Sequence, residues 1–128
     1  MIVVDMLMKV MSHEIGTLQY INQHSDFNFT NICKLHEILE SEEKLVLVLD
    51  YCEGGQIMKW DYKTHSFTPS SNAEMSESTI RELLSGICKG LSLLHRIGVL
   101  HRDIKPQNIL LKNGVPMIAD FGISKVIE

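Results

Sequence analysis

The 128-residue sequence holds only three cysteines, Cys33, Cys52 and Cys88, and no two of them form a C-x-x-C pair. An odd, widely spaced set excludes a disulfide framework or a zinc ribbon and points to a reducing, intracellular compartment. Long apolar runs are missing as well, since no stretch approaches the roughly eighteen consecutive apolar residues that a membrane span needs. The opening "MIVVDMLMKVM" is apolar, but Asp5 and Lys9 interrupt it and no basic segment precedes it, which argues against a signal peptide. Basic residues are the minority: 12 Lys plus Arg against 16 Asp plus Glu give a formal charge of −4 and a pI near 5.8. The chain therefore carries no electrostatic footprint for nucleic acid or for an anionic membrane, and neither partner is expected. Internal repeats and low-complexity tracts are also lacking.

What is present is ordinary globular material, 45% hydrophobic and 22% charged, sufficient for one compact core or for two small lobes sharing a hinge. Met6, Val10, Met11, Leu18 and Ile21 recur loosely at helical spacing over 6–21, with Gly16 weakening the middle. "QHSDFNFTN" (23–31) reads as a polar turn. Two β-rich runs, 32–39 and 44–51, flank the charged "ESEE" and predict a hairpin in which "LVLVL" is the more buried strand. "CEGG" then breaks that strand. From Lys59 to Met75 the periodicity disappears among Ser, Thr, Asn and Pro, which predicts a long exposed loop. Order returns at Ser76, the expected cap of a helix carrying Ile80, Leu83, Leu84, Ile87, Leu91 and Leu94, with Arg96 near its end and Gly98 as its stop. Asn113–Gly114 between two apolar runs predicts a tight hairpin.

Between the strand-like "GVL" and "ILL" lies "HRDIKPQN" (101–108), an unusual density of polar groups beside a core. Asp103, Lys105 and Asn108 offer a base, a cation and an oxygen ligand in one small volume, the parts of a phosphoryl-transfer site. Asp120 ends the next apolar strand, followed by Phe121 and Gly122. The Asn113–Gly114 turn should fold the two strands together and bring Asn108 close to Asp120, and two oxygen ligands on adjacent strand ends suit Mg²⁺. A single Asp in a loop is usually a turn former. Turn chemistry does not, however, require Lys105, Asn108 and a D-F-G at these spacings. His101 reads as a packed histidine, and no third ligand joins His95 and His101 to make a metal site.

"HRDIKPQN" followed by "DFG" resembles the catalytic loop and metal-binding motif of the eukaryotic protein kinases, and Lys105–Pro106–Gln107–Asn108 resembles the K-P-x-N form of the serine/threonine branch. The similarity runs from about residue 12 to 125. "EIGTL" (14–18) is similar to the small-lobe helix of that family, "LVLVLDYCEGG" (45–55) to its last small-lobe strand and hinge, and 76–96 to the first long helix of the large lobe. "GGQIMKWD", the loop after it and "IADFGISK" look mildly like the calcium/calmodulin-dependent kinase kinases. The resemblance implies an α+β, two-lobed protein-kinase-like fold truncated at both ends: a small-lobe remnant (1–51), a hinge (50–55) and the start of a helical lobe (56–128).

It also implies ATP and Mg²⁺ as cofactors, a protein substrate bearing Ser or Thr, and an intracellular location, the cytoplasm with the nucleus not excluded. Asp103 would be the catalytic base, Lys105 the cation near the transferred phosphate, and Asn108 and Asp120 the metal ligands. Glu14 would match the helix glutamate that braces a phosphate-positioning lysine, with a solvated helix face as the alternative reading. The backbone of Asp50 and Cys52 would meet the adenine edge, Leu49 would guard the back of the pocket, Leu110 would underlie the ring, and Gln56 would complete the nucleotide site. Leu18, Leu35, His101 and Phe121 match an apolar stack that links the lobes.

The departures are specific. The family places a G-x-G-x-x-G loop and a V-A-I-K lysine before the small-lobe helix. Here the first glycine is Gly16, and Lys9 lies only five residues before Glu14. The sequence also stops six residues beyond Gly122, before an activation segment. The competing expectation is a catalytically inactive fragment that serves as a binding module.

Overall fold

The computed structural model describes residues 2–6, 8–26, 29–70 and 75–127. A first sheet has the order β1 (Ile2–Met6), β3 (Leu45–Leu49), β2 (Leu35–Glu40), all antiparallel. The apolar N-terminus is thus a strand, and the helix predicted over 6–21 begins only after it: α1 runs Met8–His24. Gly16 does not break it, and the buried positions Thr17, Leu18 and Ile21 lie three and four residues apart, on one face. In the β2–β3 hairpin Ser41 closes the turn, its N–H donating to Lys44 O at 2.8 Å. The register slips between Leu35 and Glu37, so His36 is the extra residue of a bulge.

A second sheet, β4 (Gly55–Gln56), β8 (Ile109–Lys112), β9 (Val115–Ile118), sits against the long helix α2 (Glu77–Arg96). Ser76 caps α2 as predicted, accepting from the Thr79 N–H at 3.2 Å, and Gly98 at φ +82° ends it. The helix buries Leu83, Gly86, Gly90 and Leu94. Glycine is required at position 90, because a Cβ there would stand 2.7 Å from Asn31 O and 2.8 Å from Ile118 Cδ1. The β8–β9 turn is Asn113–Gly114 with both φ positive, at +50° and +77°, the primed turn that the dipeptide favours. β7 (Val99–Leu100) leads into residues 101–108 and pairs with β10 (Lys125–Val126).

The long exposed loop predicted for 59–75 is corrected. Met58–Asp61 (β5) and Ser66–Pro69 (β6) form a hairpin with Trp60 edge-on to Phe67, ring centroids 5.0 Å apart. Neither of its faces enters the core, so "MKWD" and "SFTP" show none of the inside–outside alternation that marks a half-buried strand. Residues 71–74 of that predicted loop lie outside the described residues. "CEGG" is a turn only in part, since Gly55 already pairs with Leu111.

One apolar core runs through both sheets. Leu18, Ile21, Ile32, Leu35 and Leu47 meet Leu94, Val99, Ile109, Ile118 and Phe121, all at most 4% exposed. The molecule nevertheless exposes 8505 Å², where a compact monomer of this mass exposes about 6,900 Å². Part of the excess is apolar: Ile80 and Leu84 on α2 are 43% and 55% exposed.

Candidate active site

Residues 101–108 leave β7 and enter β8 through a short 3₁₀ turn at Pro106–Asn108, where Pro supplies the fixed φ of a first helical position. His101, 1% exposed, turns inward: Nε2 donates to Ala119 O at 2.8 Å, Nδ1 accepts from the Asp103 N–H at 3.1 Å, and the ring meets Phe121 edge-on. Both ring nitrogens are spent on the backbone, so His101 holds the loop and offers no base. Arg102 sits at φ +69°, a region that a bulky residue occupies only when its surroundings hold it. Its guanidinium does so, donating to Ile123 O at 2.7 Å.

Asp103 is fixed from several sides and remains partly open to solvent. Asn108 Nδ2 donates to its carbonyl oxygen (2.9 Å) and to its Oδ2 (3.0 Å), and Lys105 Nζ stands 3.5 Å from Oδ1. Asp103, Lys105 and Asn108 therefore converge as predicted. Because Nδ2 faces Asp103, the amide oxygen of Asn108 is the end left to serve as an oxygen ligand.

Asp120 lies one residue beyond Ala119, whose N–H donates to Asn108 O at 2.9 Å, so the two predicted metal ligands sit on adjoining strand ends. Asp120 is exposed, at φ +59°, and its Oδ1 accepts from the Gly122 N–H at 3.1 Å. Two oxygen donors with open coordination suit Mg²⁺, which keeps most of its shell as water and phosphate oxygens. Among the described residues no group of three His, Cys, Asp or Glu gathers to hold a metal.

Glu14 reaches this corner from α1. Burial first, and then the neighbouring Asp120 carboxylate, raise its carboxyl above the usual range, against the opposing hydrogen bond from the Phe121 backbone. Among the described residues whose charge acts on it there is no cation of the kind such a glutamate braces. α1 is pinned to the same segment twice more: His13 Nε2 donates to Ser124 O at 2.6 Å, and the fully buried Ser124 hydroxyl lies 2.9 Å from Thr17 Oγ1. Sequence reasoning missed the Thr17–Ser124 pair, since two hydroxyls 107 residues apart leave no local pattern.

The residues predicted for the adenine pocket divide. Leu49, Cys52 and Leu110 share one cluster with Cys33, Met117 and Ala119. Cys33 is not among the predicted residues, and burial pushes its thiol up to about 12, with Cys52 and Asp50 adding to the rise. Gln56 pairs in register with Leu110. Asp50 behaves differently from the rest. Its N–H is spent on Lys34 O at 3.0 Å, its carboxylate is turned into the protein, and its carbonyl accepts weakly from the Cys33 thiol at 3.8 Å, so of its backbone only the second lone pair of that carbonyl remains for an adenine edge. Leu18, Leu35, His101 and Phe121 are all buried, Leu18, Leu35 and Phe121 in one cluster with His101 against Phe121.

Away from this corner, an open groove of about 740 Å³ runs between α2 and the β8–β9 turn, lined by Asn31, Arg81, Ser85, Lys89, Val115 and Pro116. No helix among the described residues is long and apolar enough to cross a membrane.

Residues 5–128 match the protein kinase domain family. Over 98 residues, 76% of the chain, the sequence is 39% identical to serine/threonine-protein kinase cds1 of Schizosaccharomyces pombe, and the match covers 20% of that protein. Over 120 residues, 91% of the chain, it is 32% identical to serine/threonine-protein kinase 17A of Oryctolagus cuniculus, covering 28% of that protein. The chain thus spans less than a third of the length of either curated relative.

Proposed function

We propose, from the premise that the chain belongs to the protein kinase domain family, that it carries the catalytic-loop half of a serine/threonine kinase, which moves the γ-phosphate of ATP to a Ser or Thr hydroxyl of an intracellular protein. The observation that carries this reading is the loop at 101–108. Asp103 is held by Asn108 and Lys105, with its carboxylate still partly exposed, beside the strand end that bears Asp120. In this reading 1–51 is the small-lobe part, 50–55 the hinge and 56–128 the opening of the large lobe.

Asp103 accepts and orients the substrate hydroxyl. Lys105, half exposed beside it, supplies positive charge where the transferred group passes, and such fixed charge is the main thing a protein contributes to phosphoryl transfer. Asn108 through its amide oxygen and Asp120 through its carboxylate would hold Mg²⁺, which would supply positive charge to offset that of the phosphates. Leu49, Cys52, Leu110 and Gln56 form the adenine side, with the Asp50 carbonyl as acceptor. The serine/threonine assignment rests on Lys105–Pro106–Gln107–Asn108 and on the two relatives.

The test is phosphoryl transfer from labelled ATP to a generic Ser/Thr protein by a full-length protein containing this segment, with Asp103→Asn alongside. Turnover should fall by about three orders of magnitude or more while nucleotide affinity holds, since a base acts in the transition state. An Asp103→Asn protein keeping a tenth of the wild-type rate would sink the assignment. The 128 residues alone should transfer nothing measurable, because the sequence has no glycine before Gly16 and, among the described residues, no cation acts on Glu14.

A further inference from the structure

The carboxylate of Asp50 has no part in the proposed chemistry, which uses only the backbone of that residue. Its side chain is 9% exposed and takes donors from three places. His36 Nε2, on the bulge of β2, stands 2.6 Å from Oδ1; Lys112 Nζ, at the end of β8, stands 3.2 Å from the same oxygen; the Lys34 N–H donates to Oδ2 at 3.0 Å. β2 belongs to the first sheet and β8 to the second. One carboxylate oxygen thus joins a side chain of each.

The chain passes between the two sheets at 33–34 and again at 50–54. Cys33 N–H donates to Ile118 O, Gly54 N–H donates to Leu111 O, and the Glu53 carboxylate accepts the Asn113 N–H, so the far ends of both crossings are fastened to the second sheet. The crossings are fastened to each other at Asp50, whose N–H donates to Lys34 O and whose Oδ2 accepts from Lys34 N–H. The bulge that puts His36 out of register aims its ring at this junction. Burial works to raise the Asp50 carboxyl, yet His36, the Lys34 N–H and Lys112 together hold it below the usual range, so the junction is ionic.

We infer that Asp50 is a tether between the two sheets, with His36 and Lys112 as its positioning residues: while both are engaged the crossings at 33–34 and 50–54 are locked together, and release of Lys112 lets the first sheet swing on them. If the proposed function holds, the tether also fixes the hinge carbonyl that meets adenine, because tether and acceptor are the same residue.

Native-state hydrogen exchange, followed amide by amide on the 128-residue chain, tests the tether without nucleotide. In Lys112→Met, which keeps the side-chain stem and removes the charge, the Lys34 and Asp50 amides should exchange at least tenfold faster, while those of Ala119 and of α2 stay within twofold of wild type. Lys112→Arg should restore the wild-type rates. A uniform acceleration of all amides would show an ordinary stabilising ion pair, and unchanged Lys34 and Asp50 amides would show no tether; either result overturns the inference. Should Lys112→Met not fold, His36→Gln carries the same comparison from the first-sheet side. The exchange result stands even if the chain proves to bind no nucleotide, so the two readings fail separately.

Discussion

Asn108 donates through one amide nitrogen to two oxygens of Asp103, its carbonyl at 2.9 Å and its carboxylate at 3.0 Å. With Asn108 only 6% exposed, these bonds are shielded from competing water. Asn108→Ala deletes the donors and should cost about 1–3 kcal/mol. Asn108→Asp also sets a second carboxylate against the first and should cost more at pH 7. Below about pH 4 the new side chain becomes protonated and can donate again, so Asn108→Asp should recover from below Asn108→Ala toward wild type while Asn108→Ala, without a donor at any pH, should not. Urea unfolding of each at pH 7 and pH 4 checks this, and an Asn108→Asp variant as stable as wild type at pH 7 would contradict it.

Glu14 sits where its charge is a cost. Its folded-state carboxyl is raised above the ordinary 4.5, by burial and then by Asp120. A raised carboxyl pKa means that the folded state binds the proton more tightly than the unfolded state. The resulting stability is fully present below the unfolded value and is lost as pH rises through the folded one. Glu14→Gln keeps an acceptor for the Phe121 N–H without the charge. Its melting temperature should therefore exceed that of wild type at pH 7, with the difference shrinking to nothing below about pH 4. A lower melting temperature at pH 7 would show that Glu14 has a stabilising partner after all.

The three thiols should separate sharply. Cys33 and Cys52 are 7% and 5% exposed, and burial raises both, Cys33 to about 12. Cys88 is exposed on α2. Since the thiolate is the reactive form, iodoacetamide at pH 8 should alkylate Cys88 within minutes in the folded chain and reach the other two only on unfolding. Mass spectrometry of a native time course reads this directly. Equal labelling of Cys33 and Cys88 would mean that the Leu49–Leu110 cluster is open.

Two glycines in helices should respond oppositely to alanine. Gly16 is an exposed residue inside α1, and the methyl that alanine would add there meets nothing within 4 Å, so Gly16→Ala should stabilise by about 0.5–1 kcal/mol through backbone entropy alone. Gly90→Ala would drive its methyl into Asn31 O and should destabilise by at least about 1–3 kcal/mol. Chemical denaturation of both variants settles the signs.

Legibility in the sequence follows the range of the forces involved. α2, its Ser76 cap and its Gly98 stop are readable because capping and helical periodicity act within a few residues. So is the Asn113–Gly114 turn, where the dipeptide itself demands positive φ. The loop at 101–108 is readable for a different reason: its density of polar groups beside a core exceeds what a turn requires, and the structure brings Asp103, Lys105 and Asn108 together. The β5–β6 hairpin escapes because its residues answer to no core. β1 escapes because five residues interrupted by Asp5 fit several states until a partner strand is known. Asp50 is legible only by half, since nothing local announces that Lys112, 62 residues on, will take its carboxylate.

The bond between Thr17 and Ser124 joins residues 107 apart. On a ribosome, α1 emerges well before Ser124 and can coil at once, but the hydroxyl that pins its orientation is still unmade. At roughly 5–20 residues per second the wait is on the order of ten seconds. Throughout that interval Leu18 and Ile21 have only the first sheet to cover them, and the Phe121 side of their pocket does not exist. The nascent chain therefore carries a partly uncovered apolar helix face for most of the time these residues take to be made.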